Sequence, residues 1–511
     1  MFFRRFLYFW IIFLAITTRF IGLNWGNSNY FHPDESNMAI ALSQLKPTNL
    51  NPHFFAYGQF PLYLGFYTLT AANLPNTFSN SIIILRFWSA VFSVSAILFV
   101  YLISKNIFSG SFSIIMVLMT IFNPGLIQVA HFGTTESLLI FIFLVNIYLA
   151  IKIFDQPKNY HHYIYAGLAN GIGLATKISS LIFLGPILLV SFINFIRSPN
   201  RLLSISKILI FLYFTFAVGL VLSPYNLLAK KDFISSIKYE TTVATGQLKV
   251  FYTTQFKNTN PYIFQFINIF PYTSGLPVFI FAFPGLLLFL KDLIIKRFKY
   301  WSIILIPSLV YFLYFGQLYV KWTRFASPVF FIFPLFATYF FSKITKPFFR
   351  YLLVLFCCLP GIYFMNLYFH PDIRLTASGW INNNIPPNSK IFSESGNVIN
   401  LPLGSSPYQI NNYDFYGNYS PVTLAAGLNE AEFILVPSRR VFKNYHFSYY
   451  QHLFDGSLGF IEIKRFEPKT DIFLNPENAE ETWTVFDRPT IRIYRKVKQF
   501  DKDQYESILK S

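Results

Sequence analysis

Two acids stand side by side in His32-Pro33-Asp34-Glu35. A carboxylate held in place can take the proton of an attacking hydroxyl. If the leaving group is a phosphate, cations must meet it, and Lys and Arg side chains do so through charge-assisted N–H bonds. The chain carries Lys177, Lys321 and Arg324 in short polar stretches, and Arg19 and Arg86 near the ends of apolar blocks. It also carries His131 and Glu136 in His131-Phe132-Gly133-Thr134-Thr135-Glu136. A divalent metal would find ligands among His32, Asp34, Glu35, His131 and Glu136, although no spacing here is diagnostic of one. Plainer roles compete with all of these. Pro followed by acids is how a helix starts, cations near apolar blocks snorkel to headgroups, and His131 with Glu136 suits a solvated loop.

An element must hold each of these groups. After Glu35, the apolar residues Met38, Ala39, Ala41, Leu42 and Leu45 recur at helical spacing, which predicts a short amphipathic helix opened by Pro33. Consecutive residues on a helix point about 100° apart. Asp34 and Glu35 therefore face different ways, one able to meet a reaction site while the other serves the fold.

The rest of the chain sets where that helix sits. Of 511 residues, 54% are hydrophobic and 13% charged, against about 25% charged in soluble domains. The apolar residues come in blocks at 6–23, 82–104, 112–130, 137–154, 163–176, 179–196, 208–223, 276–290, 301–315, 325–341 and 351–369, which predicts about eleven transmembrane helices. The first block follows Arg4 and Arg5 and has no small-residue cleavage site after it, so it is expected to stay as a helix. The net charge of +18 lies largely in short loops, where it reports topology and anionic lipid rather than nucleic acid. Cys357 and Cys358 are adjacent in an apolar block and imply neither a disulfide framework nor a metal site.

Lys and Arg mark one side of the membrane. Lys105, Lys152, Lys158, Arg197, Arg201, Lys207, Lys291, Lys296, Arg297, Lys299, Lys343, Lys346 and Arg350 all fall in loops on the side of Arg4 and Arg5. The positive-inside rule makes that side cytoplasmic. Residues 1–369 are then expected to form a membrane module with outer loops 24–81 and 224–275. Residues 370–511 are expected to form a small extracytoplasmic α/β domain, since they are polar, turn-rich and interrupted by short apolar runs. No internal repeat of the kind found in duplicated transporters is evident.

The order of short motifs is similar to a known family. After the first apolar helix and the Pro-Asp-Glu loop come Phe60-Pro61-Leu62-Tyr63, Leu85-Arg86-Phe87-Trp88-Ser89-Ala90, His131 with Glu136, Ala175-Thr176-Lys177, and Arg324-Phe325-Ala326 followed by Pro328 and Pro334. This resembles the membrane glycosyltransferases of the C-type (GT-C) fold, in the group of protein O-mannosyltransferases and lipid A aminoarabinose transferases. It is closest to a prokaryotic branch that shares the 252–265 segment and the run from Trp483 to Thr490.

The resemblance implies inverting transfer of a sugar from a polyprenyl-phosphate donor to a hydroxyl of a protein, lipid or glycan, on the outer face of the plasma membrane. It implies Asp34 as the acceptor base with Glu35 as its support, and Lys177, Arg324 and Lys321 on the donor phosphate. His32, Gln59, Arg86, His131 and Glu136 would line the site. The position of Glu136 more often carries Asp in the family. Gln59-Phe60 stands where the aminoarabinose transferases have Lys-Pro, so a cation expected at the donor phosphate is missing. No cofactor beyond the lipid-linked donor is required by the resemblance, and membrane lipids are expected partners.

A transporter or lipid flippase is the leading alternative. Such proteins place ionisable groups near the midplane of their helices, whereas the central stretches here are almost free of charge. A structural or assembly protein that binds through its outer domain is the third reading.

Overall fold

A computed structural model describes residues 2–295, 299–395, 400–404, 407–415, 419–439 and 447–510. Lys296 and Arg297, used above for topology, lie outside the described residues. Helix α1 (Phe2–Phe20) is followed by α2 (Pro33–Ser43) and α3 (Phe60–Ala71), which fold the first expected outer loop. Then come α4 (Phe78–Ser104), α5 (Gly110–Ile121), α6 (Pro124–His131), α7 (Glu136–Asp155), α8 (Tyr160–Leu174), a 3₁₀ segment (Ile178–Leu184) running into α9 (Gly185–Arg197), and α10 (Arg201–Leu222). Four short helices occupy the next loop: α11 (Tyr225–Leu228), α12 (Lys230–Thr245), α13 (Ile263–Asn268) and α14 (Phe270–Thr273). The bundle closes with α15 (Leu276–Ile295), α16 (Trp301–Gly316), α17 (Thr323–Ala326), α18 (Ile332–Phe341) and α19 (Pro347–Phe369).

All eleven apolar blocks fall on helices, and fewer than eleven of them are long and apolar enough to count as spans by length and composition alone. Among the described residues six helices are long and apolar enough to cross a membrane, or eight if each of two bent pairs counts as one span. The bends are 54° between α5 and α6 and 46° between Thr323–Val329 and Ile332–Phe341. Phe6–Phe20 of α1 and Trp301–Gly316, which is α16, are shorter apolar stretches, and α8 has 15 residues.

The first bend has an identifiable cause. Asn123 caps α6 by accepting the Leu126 N–H, and Pro124 has no N–H to continue α5. The carbonyls stranded at the end of α5 are taken by Arg19, which donates to Ile121 (2.6 Å) and Thr120 (3.3 Å). Arg19 is thus a structural cation. The centre of the bundle is α7, which packs against α4, α8 and α9 and buries Phe143, Ile147 and Ala150 completely.

Beyond α19 the chain forms α20 (Ile373–Asn384), β1 (Lys390–Ser395), β2 (Gln409–Asp414), α21 (Pro421–Glu430), β3 (Phe433–Val436), α22 (Phe447–Phe454), β4 (Phe460–Phe466), β5 (Ile491–Lys496) and α23 (Lys502–Lys510). The sheet order is β2-β1-β3-β5-β4. Strand β1 runs parallel to β2 and β3, and β5 antiparallel to β3 and β4. Side chains alternate across it with the period of two that a strand imposes. Phe392, Ile434 and Tyr494 face a core with Leu424, Tyr449 and Tyr505, while Ile391, Leu435 and Ile493 face Ile381 and Ile385. This is the small α/β unit expected of the polar tail.

Candidate active site

The two acids at the start of α2 part company. Pro33 opens the helix, and His32 caps it by accepting the Glu35 N–H at Nδ1 (3.4 Å). Glu35 points into the protein and is completely buried. Its oxygens accept Arg86 Nε and Nη2, each at 2.7 Å, and Oε1 also accepts the Gly133 N–H at 2.7 Å. A Cβ at Gly133 would lie 2.8 Å from the Leu85 Cβ and 3.0 Å from Glu35 Oε1, so a bare backbone is needed there. The remaining guanidinium nitrogen donates to the carbonyls of Leu23 (2.8 Å) and Trp25 (3.0 Å), and the Trp25 ring lies 4.3 Å beneath. Glu35 and Arg86 therefore lock α2 to α4 and leave no oxygen of Glu35 for chemistry.

Asp34, one residue earlier, forms an ion pair with Arg324, and each side chain is 24% exposed. The fold brings this carboxylate to the surface beside α17, as a 100° rotation from a buried neighbour requires.

A second set of contacts delivers Lys177. The Gly58 N–H donates to Thr176 O (2.8 Å) and the Phe60 N–H to Ala175 O (3.1 Å). A Cβ at Gly58 would sit 2.0 Å from Ala175 O, so the two loops touch only because this residue is glycine. Lys177 Nζ then lies 5.0 Å from the centre of the Tyr57 ring and 5.2 Å from that of Phe325. The Arg324 guanidinium lies 5.8 Å from the same Phe325 ring and 4.7 Å from Trp322. Phe325 is thus the wall shared by both cations.

Neither cation is saturated. The ion pair of Lys177 with Glu136 is 3.9 Å long, beyond hydrogen-bond reach. Arg324 Nε is buried with no hydrogen-bond partner among the described residues. Glu240 of α12, which is exposed, lies within electrostatic range of Lys177. The protein around it raises its carboxyl above the ordinary range, and the Lys177 charge pulls it back. Burial, with the charges of Glu136 and Glu240, pushes the Tyr57 phenol well up, so it stays neutral.

Other expected site residues are used by the fold. Gln59 is buried, its amide donating to Asn226 (3.1 Å) and accepting from the Tyr225 N–H (3.0 Å) and the Tyr63 hydroxyl (3.3 Å). His131 lies with its ring nitrogens 2.8 Å from the carbonyls of Ile127 and Ile21, stacked on Tyr368 with ring centres 3.5 Å apart. The His32 ring packs between Phe132 (4.5 Å) and Phe486 (4.4 Å). Lys321 is buried, donates to Tyr319 O (2.9 Å), and lies 5.9 Å from the Phe256 ring, so it does not join the Phe325 pair. Burial lowers its pKa.

The sequence reading missed Tyr57, Trp322, Phe325 and Glu240. Phe325 follows Arg324 in the quoted motif, and Trp322 stands between Lys321 and Arg324 in the sequence, which was the available signal. Glu240 had none, because it is 63 residues from Lys177 in the chain and no local pattern connects them.

These residues do not fit a metal centre. Glu35 and His131 are committed to Arg86 and to backbone carbonyls, and Asp34 to Arg324. Among the described residues no three His, Cys, Asp or Glu side chains converge as a metal site.

Comparison with known proteins bears on the fold and on residues 67–225. Residues 67–225 match the family model described as dolichyl-phosphate-mannose-protein mannosyltransferase, a stretch that contains Arg86, His131, Glu136 and Lys177. No curated protein matches the chain in sequence. Among solved structures, the chain is similar to the archaeal oligosaccharyltransferase AglB from Archaeoglobus fulgidus, solved with an inhibitory peptide and a dolichol-phosphate. That likeness has a TM-score of 0.50 and 13% identity, over 84% of this chain and 68% of that one. It is also similar to ArnT from Cupriavidus metallidurans bound to undecaprenyl phosphate, with a TM-score of 0.48 and 10% identity, over 96% and 98% of the two chains. The chain has the fold of the GT-C membrane glycosyltransferases, and over residues 67–225 it carries the sequence pattern of the dolichyl-phosphate-mannose-protein mannosyltransferase family.

Proposed function

We propose that the protein is a membrane glycosyltransferase that moves a sugar from a polyprenyl-phosphate donor to a hydroxyl acceptor, with inversion, on the outer face of the membrane. The observation that carries this reading is the juxtaposition of one carboxylate with two cations that have unused N–H donors. Asp34 is paired with Arg324, and Lys177 stands across Phe325 from it.

An acceptor hydroxyl attacks the anomeric carbon, Asp34 takes its proton, and the bond from that carbon to the phosphate oxygen breaks. The polyprenyl phosphate leaves with the electron pair. Lys177 and Arg324 meet the charge that grows on it, which is where preorganised donors contribute most. Donor binding draws the guanidinium toward the phosphate and releases the Asp34 carboxylate for the proton. The fold fits this substrate class, since AglB was solved with a dolichol-phosphate. A site at the ends of the helices suits a donor that cannot leave the bilayer. In this reading all eleven apolar blocks cross the membrane, so the N-terminus is cytoplasmic and the sheet domain lies outside, in keeping with the lysines and arginines of alternate loops.

The transporter reading expects charge midway along the helices. The polar pair buried there is neutral: Asn170 donates to Asn146 (2.6 Å), and Asn146 to Asn170 (3.3 Å).

A screen of radiolabelled polyprenyl-phosphate sugars against the purified protein tests the proposal. Label should move to a hydroxyl acceptor, with release of polyprenyl phosphate. Uptake or flipping of the labelled lipid without covalent transfer would contradict it.

A further inference from the structure

The segment between β4 and β5 leaves the sheet and lies across the helices. Its central anchor is Trp483, which stacks on Phe364 of α19 (5.3 Å) and under the Arg488 guanidinium (4.4 Å). Gln128 of α6 donates to Trp483 O and to Asp487 Oδ2, each at 3.0 Å. On either side of this anchor the segment reaches one half of the Asp34–Arg324 pair.

Glu480 reaches the Arg324 half. It is completely buried, and no Lys, Arg or His forms an ion pair with it among the described residues. Its Oε2 accepts the Thr323 N–H (3.0 Å) and the Thr323 hydroxyl (2.9 Å), and the Thr482 hydroxyl donates to it as well. Its Oε1 accepts Gln255 Nε2 (2.7 Å) and the Thr482 N–H (3.1 Å). Gln255 returns the contact by accepting the Glu481 N–H (3.0 Å). A buried carboxylate is tolerable only when its lone pairs are filled in this way. Thr323 is the residue directly before Arg324, so Glu480 fixes the backbone from which that guanidinium projects.

Phe486 reaches the Asp34 half. Its ring packs 4.4 Å from His32, the residue that caps α2. Its carbonyl accepts Arg374 Nη2 (2.7 Å), and the Arg374 guanidinium covers the Phe31 ring at 3.5 Å. Phe31 and His32 lead directly into Pro33-Asp34.

We propose that Glu480 is a positioning residue of the active site, and that with Phe486 it makes the sheet domain set the distance between Asp34 and Arg324. This rests on the reading of that pair as the reacting site. Glu480 touches neither partner and acts through Thr323. The domain is then a built part of the catalytic unit.

Hydrogen–deuterium exchange on the full-length protein tests the grip without needing activity. In Glu480→Gln the new amide would face Gln255 Nε2 donor to donor. Exchange should rise in peptides covering 320–330 while peptides covering β1, β3 and β5 stay protected. In Phe486→Ala it should rise in peptides covering 30–40. Unchanged exchange in both regions overturns the proposal, and so does equal loosening of the strands, which would make the role one of general stability.

Kinetics test the consequence. Transfer at saturating donor should fall about tenfold in Glu480→Gln, the scale of a small misplacement. It should recover when Gln255→Glu restores the donor–acceptor complement. In an Arg324→Lys background, where the guanidinium is absent, Glu480→Gln should add little. Full additivity overturns the positioning role. A wild-type protein that transfers no sugar defeats the proposed function instead, and the exchange result then decides the grip by itself.

Discussion

Three N–H groups converge on the Glu35 carboxylate, and the guanidinium that supplies two of them donates from its Nη1 to two backbone carbonyls. Removing one partner of such a buried pair strands the other and typically costs about 3–5 kcal/mol. Glu35→Ala should therefore lower the melting temperature of the detergent-solubilised protein by several degrees, and Asp34→Ala, at a partly exposed pair, should lower it much less. Equal shifts would contradict the separation of the two acids into a structural and a reacting group. That separation was half legible. Adjacent residues on a helix cannot face the same way, so the sequence implied two roles. Which acid took which depended on Arg86, 51 residues away from Glu35, and on Arg324, which no local pattern connects to α2. Gln59, His131 and His32 are polar residues whose hydrogen bonds are closed by loops and by a distant domain, and their types alone could not tell fold from site.

Apolar blocks located the long helices of the bundle, because a lipid-facing or buried helix is apolar over most of its length, whereas α3 and the helices between α10 and α15 fell in stretches read as loops. Length along the chain did not reveal where a block bends. Asn123-Pro124 is a start signal placed inside one block, and it splits that block into α5 and α6. The α/β tail was legible as a class, but its sheet order was not, since strand pairing is non-local. Within that sheet, Glu394 of β1 is completely buried, accepts the Tyr450 hydroxyl (2.6 Å) on one oxygen and has no hydrogen-bond partner on the other among the described residues. Burial raises its pKa from 4.5 to about 8, against smaller lowering effects of Tyr450 and Arg492. A folded-state pKa above the unfolded one means that the folded state holds the proton more tightly. The stability from the neutral form is fully present below pH 4.5 and is lost as pH rises through about 8. Thermal unfolding of the full chain should show the sheet domain weakening between those limits, and Glu394→Gln should flatten the profile. An unchanged profile in that variant would assign the pH dependence elsewhere.

Across the whole molecule, the helical bundle, the outer loops and the sheet domain meet at one place. The α2 helix brings Asp34, the contact of Gly58 with Ala175 brings Lys177, and α17 brings Arg324, held by a segment from between two strands of the distal sheet. Composition made the membrane class readable, and its sidedness rests on loop charge alone. The docking of residues 471–490 was not readable, although the run from Trp483 to Thr490 stood out as a motif. Apart from 3₁₀ turns at Pro476–Asn478 and Glu481–Trp483 its residues serve neither a strand nor a helix, and their contacts with α6, α19 and α2 show why they have those types. The central claim is that Asp34 is the base of a glycosyl transfer. The most direct test compares wild type and Asp34→Asn, matched for folded protein by melting temperature, on the radiolabelled polyprenyl-phosphate sugar that wild type uses best. Asn keeps the size of Asp34 and still offers an oxygen to Arg324, but it cannot take the proton. The account predicts that labelled product falls by at least about a hundredfold in Asp34→Asn, the lower range for loss of a general base, with the donor still bound. Turnover at the wild-type rate by that variant would contradict it.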